Sequence, residues 1–242
     1  EDERELALLV NAKAPAAIAE WSTRHRVPLI HFSTDYVFDG SGDTTWLEDS
    51  PTGPLSVYGA SKLAGDLAIQ AAGGPHLIAR TSWVYDAGGA NFLRTIMRLA
   101  GERKELRIVA DQTGAPTTAN TIADAVSRIV LSNASALRAL LARHGGVVNL
   151  ACAGETSWHG FATAIVGGLK SRGVRLAVET VTPVATADFP TKARRPGNSR
   201  LDLSQLRERF GWTPPTWQDA LSTELDSLVT RQGEQAVPAM RA

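Results

Sequence analysis

Tyr58 and Lys62 stand four residues apart in Val57-Tyr58-Gly59-Ala60-Ser61-Lys62. On a helix that spacing puts both side chains on one face, with an ammonium beside a phenol. A nearby positive charge favours the phenolate, so the tyrosine pKa is expected to fall from about 10 toward working pH. The phenol then becomes an effective proton donor. A carbonyl that takes up hydride needs such a donor at its developing oxyanion. The same pair also occurs by chance on structural helices, so its neighbours decide what it means.

Those neighbours are polar and stand at the end of an apolar run. Residues 27–32 read as a buried strand, and Ser33-Thr34-Asp35-Tyr36 follows at once. Ligands of open α/β sheets bind at the C-terminal edge of the strands, where a Thr34 hydroxyl could meet the carbonyl oxygen that Tyr58 protonates. Asp35 is either a turn carboxylate or a contact for a ligand hydroxyl.

The elements that would position these groups alternate. Helical spacing covers residues 6–25, the strand 27–32 follows, and a Gly-containing polar loop occupies 39–54. Ser56 or a close neighbour starts the Tyr58 helix, which ends near Gly73-Gly74. Further strands are expected at 76–81, 106–110 and 147–151, and a less cleanly alternating one at 176–181. Helices are expected at 91–100, with Phe92, Ile96 and Leu99 on one side, and at 121–131, 135–143 and 161–170. Residues 183–242 read as a proline-containing capping region that frays beyond Arg231.

Composition narrows the class. With 242 residues, 43% of them hydrophobic, the chain can bury a sizeable core. Its apolar runs are far short of about 18 residues and its start lacks the regions of a signal peptide, so a soluble, cytoplasmic protein without a membrane partner is expected. Cys152, the single cysteine, excludes an internal disulfide framework and reads as a small core residue. The 25 basic and 25 acidic residues balance, which removes the global field that would attract nucleic acid. The five histidines have no metal-ligand spacing, so no metal site is assigned. Arg194, Arg195 and Arg200 cluster about Pro196; this is either a solvated loop or a set of planar donors for a diphosphate, with Asn198 and Ser199 as neutral donors beside them.

Five blocks together resemble the dTDP-4-dehydrorhamnose reductases of the extended short-chain dehydrogenase/reductase superfamily: 33–40 (Ser-Thr-Asp-Tyr-Val-Phe-Asp-Gly), 57–65 (Val-Tyr-Gly-Ala-Ser-Lys-Leu-Ala-Gly), 80–85 (Arg-Thr-Ser-Trp-Val-Tyr), 111–117 (Asp-Gln-Thr-Gly-Ala-Pro-Thr) and 195–201 (Arg-Pro-Gly-Asn-Ser-Arg-Leu). The likeness runs from near the first residue to about Trp217, in the family's order. It implies an α/β, Rossmann-like doubly wound parallel sheet with a small C-terminal substrate-binding region. Residues 1–150 would form an incomplete cofactor-binding domain with the catalytic residues, and 151–242 mainly the substrate-binding cap, with an interleaved boundary. The chain contains no Gly-x-x-Gly-x-x-Gly turn to hold a cofactor pyrophosphate, so the resemblance implies that about the first 60 residues of the usual dinucleotide fold lie outside it.

The implied reaction is reduction of the 4-keto group of a dTDP-linked 6-deoxy-4-keto sugar with NADPH or NADH, giving dTDP-L-rhamnose for cell-surface polysaccharide. Thr34, Tyr58 and Lys62 would be catalytic, and Ser33, Tyr58 and Lys62 would hold the cofactor. Asp35, Tyr36, Trp83, Gln112, Arg195, Asn198 and Ser199 would contact the sugar nucleotide. Mg2+ and a homodimer are compatible with the resemblance. Two other readings share its superfamily: a non-catalytic relative such as a methionine adenosyltransferase regulatory subunit, and a nucleotide-sugar epimerase or dehydratase.

Overall fold

The computed structural model describes residues 1–189 and 191–236. In chain order its elements begin with α1 (Arg4–Leu8), a π-helical turn (Leu9–Lys13), α2 (Ala14–Arg24), β1 (Leu29–Thr34), a 3-10 turn (Asp35–Val37), α3 (Val57–Ala72), β2 (His76–Thr81) and β3 (Val84–Tyr85). Next come α4 (Phe92–Glu102), β4 (Glu105–Val109), β5 (Thr113–Gly114), β6 (Thr117–Thr118), α5 (Ala119–Leu131), α6 (Leu137–His144) and β7 (Gly146–Asn149). The remainder holds β8 (Thr156–Ser157), α7 (Trp158–Ser171), β9 (Thr180–Val184), α8 (Ser204–Phe210) and α9 (Trp217–Ala236). The fraying expected beyond Arg231 is replaced by helix to Ala236, and its further part, 237–242, lies outside the described residues.

The chain divides into two interleaved units. The first comprises Glu1–Ser82, Ile122–Ala151 and Pro190–Pro214; the second comprises Trp83–Thr121, Cys152–Phe189 and Pro215–Ala242.

The first unit is built on a parallel sheet in the order β1-β2-β7. The central strand β2 is buried from Leu77 to Thr81, and its alternation feeds two cores, one on each face. Leu77 and Ala79 pack with Ile122, Ala125, Ile129, Leu141 and Leu206 of α5, α6 and α8. Ile78 packs on the other face with Ala19 of α2 and Ile69 of α3. The sheet is therefore doubly wound, as expected for a Rossmann-like α/β fold. β1 departs from its expected burial: it is an outer strand of this sheet, and Phe32 is 47% exposed. It also begins at Leu29 rather than Val27, because its register is set by pairing Leu29 with His76.

α3 has both of its ends written into the sequence. The Ser56 hydroxyl accepts the Gly59 N–H at 3.1 Å as N-cap, and Gly73 closes the helix in the left-handed region at φ 70°. Two glycines inside it permit close approach. A Cβ on Gly59 would lie 2.2 Å from the Tyr36 carbonyl oxygen, and one on Gly65 would lie 2.1 Å from that of Asn11. The helix can thus rest directly on the turn after β1 and on the first helical segment.

The second unit packs α4, α7 and α9 around Tyr85, Leu93, Ile96, Phe161, Ile165, Leu169 and Leu225, with Cys152 in the same core. On α4 the fully buried positions are Leu93, Ile96 and Ala100, while Phe92 and Leu99 are only partly covered, so the buried face is rotated from the expected one. β4 and β9 form a parallel pair, and β9 starts at Thr180, four residues later than the strand expected from 176. Its Pro183 is tolerated because β9 has no ladder partner other than β4 among the described residues. No helix among the described residues is long and apolar enough to cross a membrane.

Candidate active site

The C-terminal end of β1 and the first turn of α3 meet in the first unit. Thr34 accepts the Tyr36 N–H at 3.2 Å, so it caps the short 3-10 turn, and it donates to Asp35 Oδ1 at 3.1 Å. Its side chain also acts on the Tyr58 phenol, whose pKa it lowers. The rings of Tyr36 and Tyr58 meet edge to face, 5.9 Å apart at 79°. The absence of a side chain at Gly59 is what allows this junction, and it explains why glycine follows Tyr58.

Electrostatically the phenol behaves differently from the expectation drawn from Lys62. Burial raises the Tyr58 pKa above 10; the Thr34 hydroxyl offsets part of this, and the charges of Asp35 and Asp66 add to it. Desolvation and two carboxylates therefore set the shift, to which the Lys62 ammonium does not contribute, and the phenol holds its proton at neutral pH, the form a donor needs. Tyr36 is pushed further, to about 12, by burial first and then by Asp35, with Arg195 working the other way.

Lys62 is turned toward the strand. Its Nζ donates to the Phe32 carbonyl at 2.5 Å and lies 3.1 Å from His31 Nε2. Burial lowers its pKa and the Asp66 carboxylate opposes that. An ammonium has three donors, and two are engaged here, which leaves one for a ligand hydroxyl. Such a donor fits the ribose of a nicotinamide cofactor at this end of the site, while no stretch of the chain supplies a glycine-rich cradle for its pyrophosphate.

Behind Lys62 lies a polar network that sequence reasoning missed. Asp66, fully buried, accepts the Ser33 hydroxyl at 2.7 Å and faces Arg80 Nε at 3.5 Å. Arg80 also donates to the Glu48 carbonyl at 3.0 Å and lies over the Phe38 ring. Asp66 follows Lys62 by four residues, so the spacing that drew attention to Lys62 extends one more turn along the same face. Ser33, assigned above to the cofactor, has its hydroxyl on this carboxylate instead of free at the strand edge.

Asp35 is buried; one oxygen takes the Thr34 hydroxyl and the other, Oδ2, has no hydrogen-bond partner among the described residues. Burial pushes its pKa up to about 6, offset in part by the Ser199 and Thr34 hydroxyls. Ser199 and Arg195, from a distant segment, thus act on the Asp35–Tyr36 turn. Asn198 does something else: its amide N–H groups donate to the carbonyls of Thr44 at 2.7 Å and Ser41 at 3.3 Å, and its own carbonyl accepts the Trp46 indole at 3.0 Å. It brackets the loop that follows the turn.

Trp83 and Gln112 belong to the second unit. Trp83, at φ 47°, stacks on Trp158 with centroids 3.8 Å apart. Gln112 is buried with both ends of its amide engaged, accepting the Trp158 indole N–H at 3.1 Å and donating to Thr186 Oγ1 at 3.0 Å. Trp158 carried no motif and was not identified from sequence. Among the described residues no group of three or more His, Cys, Asp or Glu could hold a metal ion.

Residues 1–230 match the family model of the RmlD substrate binding domain. The chain is 45% identical over 227 residues to a dTDP-4-dehydrorhamnose reductase of Burkholderia thailandensis, covering 93% of this chain and 76% of that protein. It is 42% identical over 232 residues to the Escherichia coli dTDP-4-dehydrorhamnose reductase, covering 95% and 75%. Among solved structures, the dTDP-4-dehydrorhamnose reductase of Bacillus anthracis in complex with NADP superposes with a TM-score of 0.82 at 31% identity, covering 94% of this chain and 75% of that one.

Proposed function

The chain belongs to the dTDP-4-dehydrorhamnose reductase family, and from that premise we propose that it reduces the 4-keto group of dTDP-4-dehydro-L-rhamnose to dTDP-L-rhamnose. The observation that carries the proposal is the junction of the end of β1, where Thr34 stands, with the first turn of α3, where Tyr58 meets Tyr36 edge to face and the Lys62 ammonium follows one turn further along. In this reading NADPH, when bound, supplies hydride to the sugar C4. Thr34 orients the ketone oxygen, and Tyr58 delivers its phenolic proton to that oxygen as the charge develops. Lys62 stabilises the phenolate left behind, and its third N–H takes a cofactor hydroxyl. NADPH rather than NADH is favoured by the NADP held in the Bacillus anthracis relative.

Asp35, with one unpartnered oxygen, is assigned to a sugar hydroxyl, and Tyr36, Arg195 and Ser199 to the sugar nucleotide around it. Trp83 of the second unit is assigned an aromatic face for the sugar. Gln112 and Asn198 are engaged within the protein and act through the elements they hold. We place the reaction in the cytoplasm, in keeping with a single, buried cysteine.

The test is NADPH oxidation followed by absorbance with dTDP-4-dehydro-L-rhamnose. One NADPH consumed per dTDP-L-rhamnose formed is expected. Redox-neutral conversion of the sugar, or binding of the sugar nucleotide with no NADPH consumed, would overturn the assignment.

A further inference from the structure

We infer that His31 is a positioning residue of this site, holding the Lys62 ammonium through the lone pair on its Nε2. The inference rests on the roles given above to Tyr58 and Lys62, and it adds a residue that no motif selects.

The geometry leaves little choice of roles. Lys62 Nζ lies 3.1 Å from His31 Nε2, and an ammonium can only donate. Nε2 must therefore accept, and the neutral ring carries its proton on Nδ1. Burial and then the adjacent Lys62 charge hold the His31 pKa down at about 4, which keeps the ring neutral at working pH. The second acceptor of the ammonium is the Phe32 carbonyl, on the next residue of the same strand. A lysine head is a point charge on a flexible four-carbon stem, and two acceptors on a strand fix where it sits. The other groups facing this pair are Tyr58 and Asp66 on α3, with Asp66 Oδ1 4.0 Å from His31 Nε2; Arg80 of β2 and Ser33 of β1 partner Asp66 in turn.

Removing the imidazole takes a favourable partner from a partly desolvated ammonium. The Lys62 pKa then falls, and the head is free to leave the orientation in which it serves Tyr58. His31 touches no reacting atom in this arrangement, because its Nε2 is occupied by Lys62.

Three variants test this. His31→Leu deletes the acceptor, His31→Asn places an amide where Nδ1 was and falls short of Lys62, and His31→Gln places one where Nε2 was. The first readout needs no turnover: the Lys62 ammonium is titrated by NMR in the 15N-lysine-labelled protein. Its pKa is expected to drop by about one unit in His31→Leu and His31→Asn and to return toward wild type in His31→Gln. The second readout is kinetic. In the Leu and Asn variants kcat is expected to fall about tenfold near neutral pH with KM for the sugar nucleotide unchanged, and the alkaline limb of the kcat profile should move to lower pH, with His31→Gln restoring both.

An unmoved Lys62 titration in His31→Asn sinks the inference, whatever happens to kcat; that variant decides if His31→Leu does not fold. Equal kinetic losses in all three variants, tracking only a lowered melting temperature, would also overturn it. A Lys62 titration that moves in a protein showing no reductase turnover would uphold the His31 contact and refute the proposed reaction instead.

Discussion

Trp158 lies flat on Trp83, with ring centroids 3.8 Å apart and planes 13° from parallel. Trp83 needs this support, since a left-handed φ of 47° costs a non-glycine residue about 1 kcal/mol or more. Trp158 is in turn fixed by its N–H bond to Gln112 and by Phe92, 4.6 Å away. The pair should give an exciton couplet in far-ultraviolet circular dichroism. Trp158→Ala is expected to abolish the couplet and to destabilise the protein by about 2–3 kcal/mol, whereas Trp158→Phe loses the couplet but retains most of the stability. A spectrum unchanged in Trp158→Ala would mean that the rings do not stack in solution.

Tyr58→Phe keeps the ring and removes the proton. Because Tyr58 is 48% exposed, stability should change by no more than about 0.5 kcal/mol. The rate should fall about 10²–10⁴-fold in kcat if the phenol is the acid. Stopped-flow NADPH oxidation measures the chemical step, and a loss under about tenfold would remove Tyr58 from that role.

Asp35 makes stability pH-dependent in a direction opposite to most carboxylates. Its folded pKa, about 6, lies above its ordinary 3.8, so the fold favours the protonated acid. Its contribution is fully present below the unfolded value and is lost as pH rises through the folded one. Asp35→Asn, which stays neutral, should therefore stabilise the protein by about 2 kcal/mol above pH 6 and by little at pH 4. Urea melts across this range check it; a variant no more stable than wild type at pH 8 would show that the buried carboxylate is compensated in solution.

His31 acts in the opposite sense. With a folded pKa near 4 against an ordinary 6.5, it contributes stability above about pH 6.5 that is lost as pH falls through the folded value. His31→Gln should thus be more acid-resistant than wild type, with a relative gain of about 2 kcal/mol at pH 4 compared with pH 7. Thermal melts of the two proteins at matched pH isolate this effect from that of Asp35.

Asp66→Ala should be the most damaging of the substitutions considered. It leaves Arg80, 4% exposed, as an uncompensated charge inside the first unit. A loss of about 3–5 kcal/mol is expected, with much of it recovered when Arg80→Met is added. Chemical denaturation of the two single variants and the double one closes the cycle; additive losses would mean that the pair is not coupled.

The features that could be read in advance were those with local causes. Ser56 and Gly73 mark the ends of α3 through a hydroxyl cap and a left-handed turn, and both are properties of a few neighbouring residues. The strand 76–81 was legible because its apolar centre, Leu77-Ile78-Ala79, suits a central strand covered on both faces. β9 was not, since its residues alternate poorly and its register comes from β4, more than seventy positions earlier. Asn198 illustrates the same limit within the site: its residue type suits a phosphate donor, and only the folded loop shows its amide engaged by Ser41 and Thr44.

The sequence by itself determined that Tyr58 and Lys62 share one face of a capped helix and that hydroxyls and a carboxylate cluster after the strand at His31, because helix period and strand ends are set by short-range geometry. Tertiary structure alone decided what each charge meets: Lys62 meets His31, Asp66 meets Arg80, and Asp35 is buried deeply enough to hold its proton up to about pH 6. The physical reason is that desolvation and Coulomb energies depend on distances through space, and those distances exist only once β1, β2 and α3 have packed.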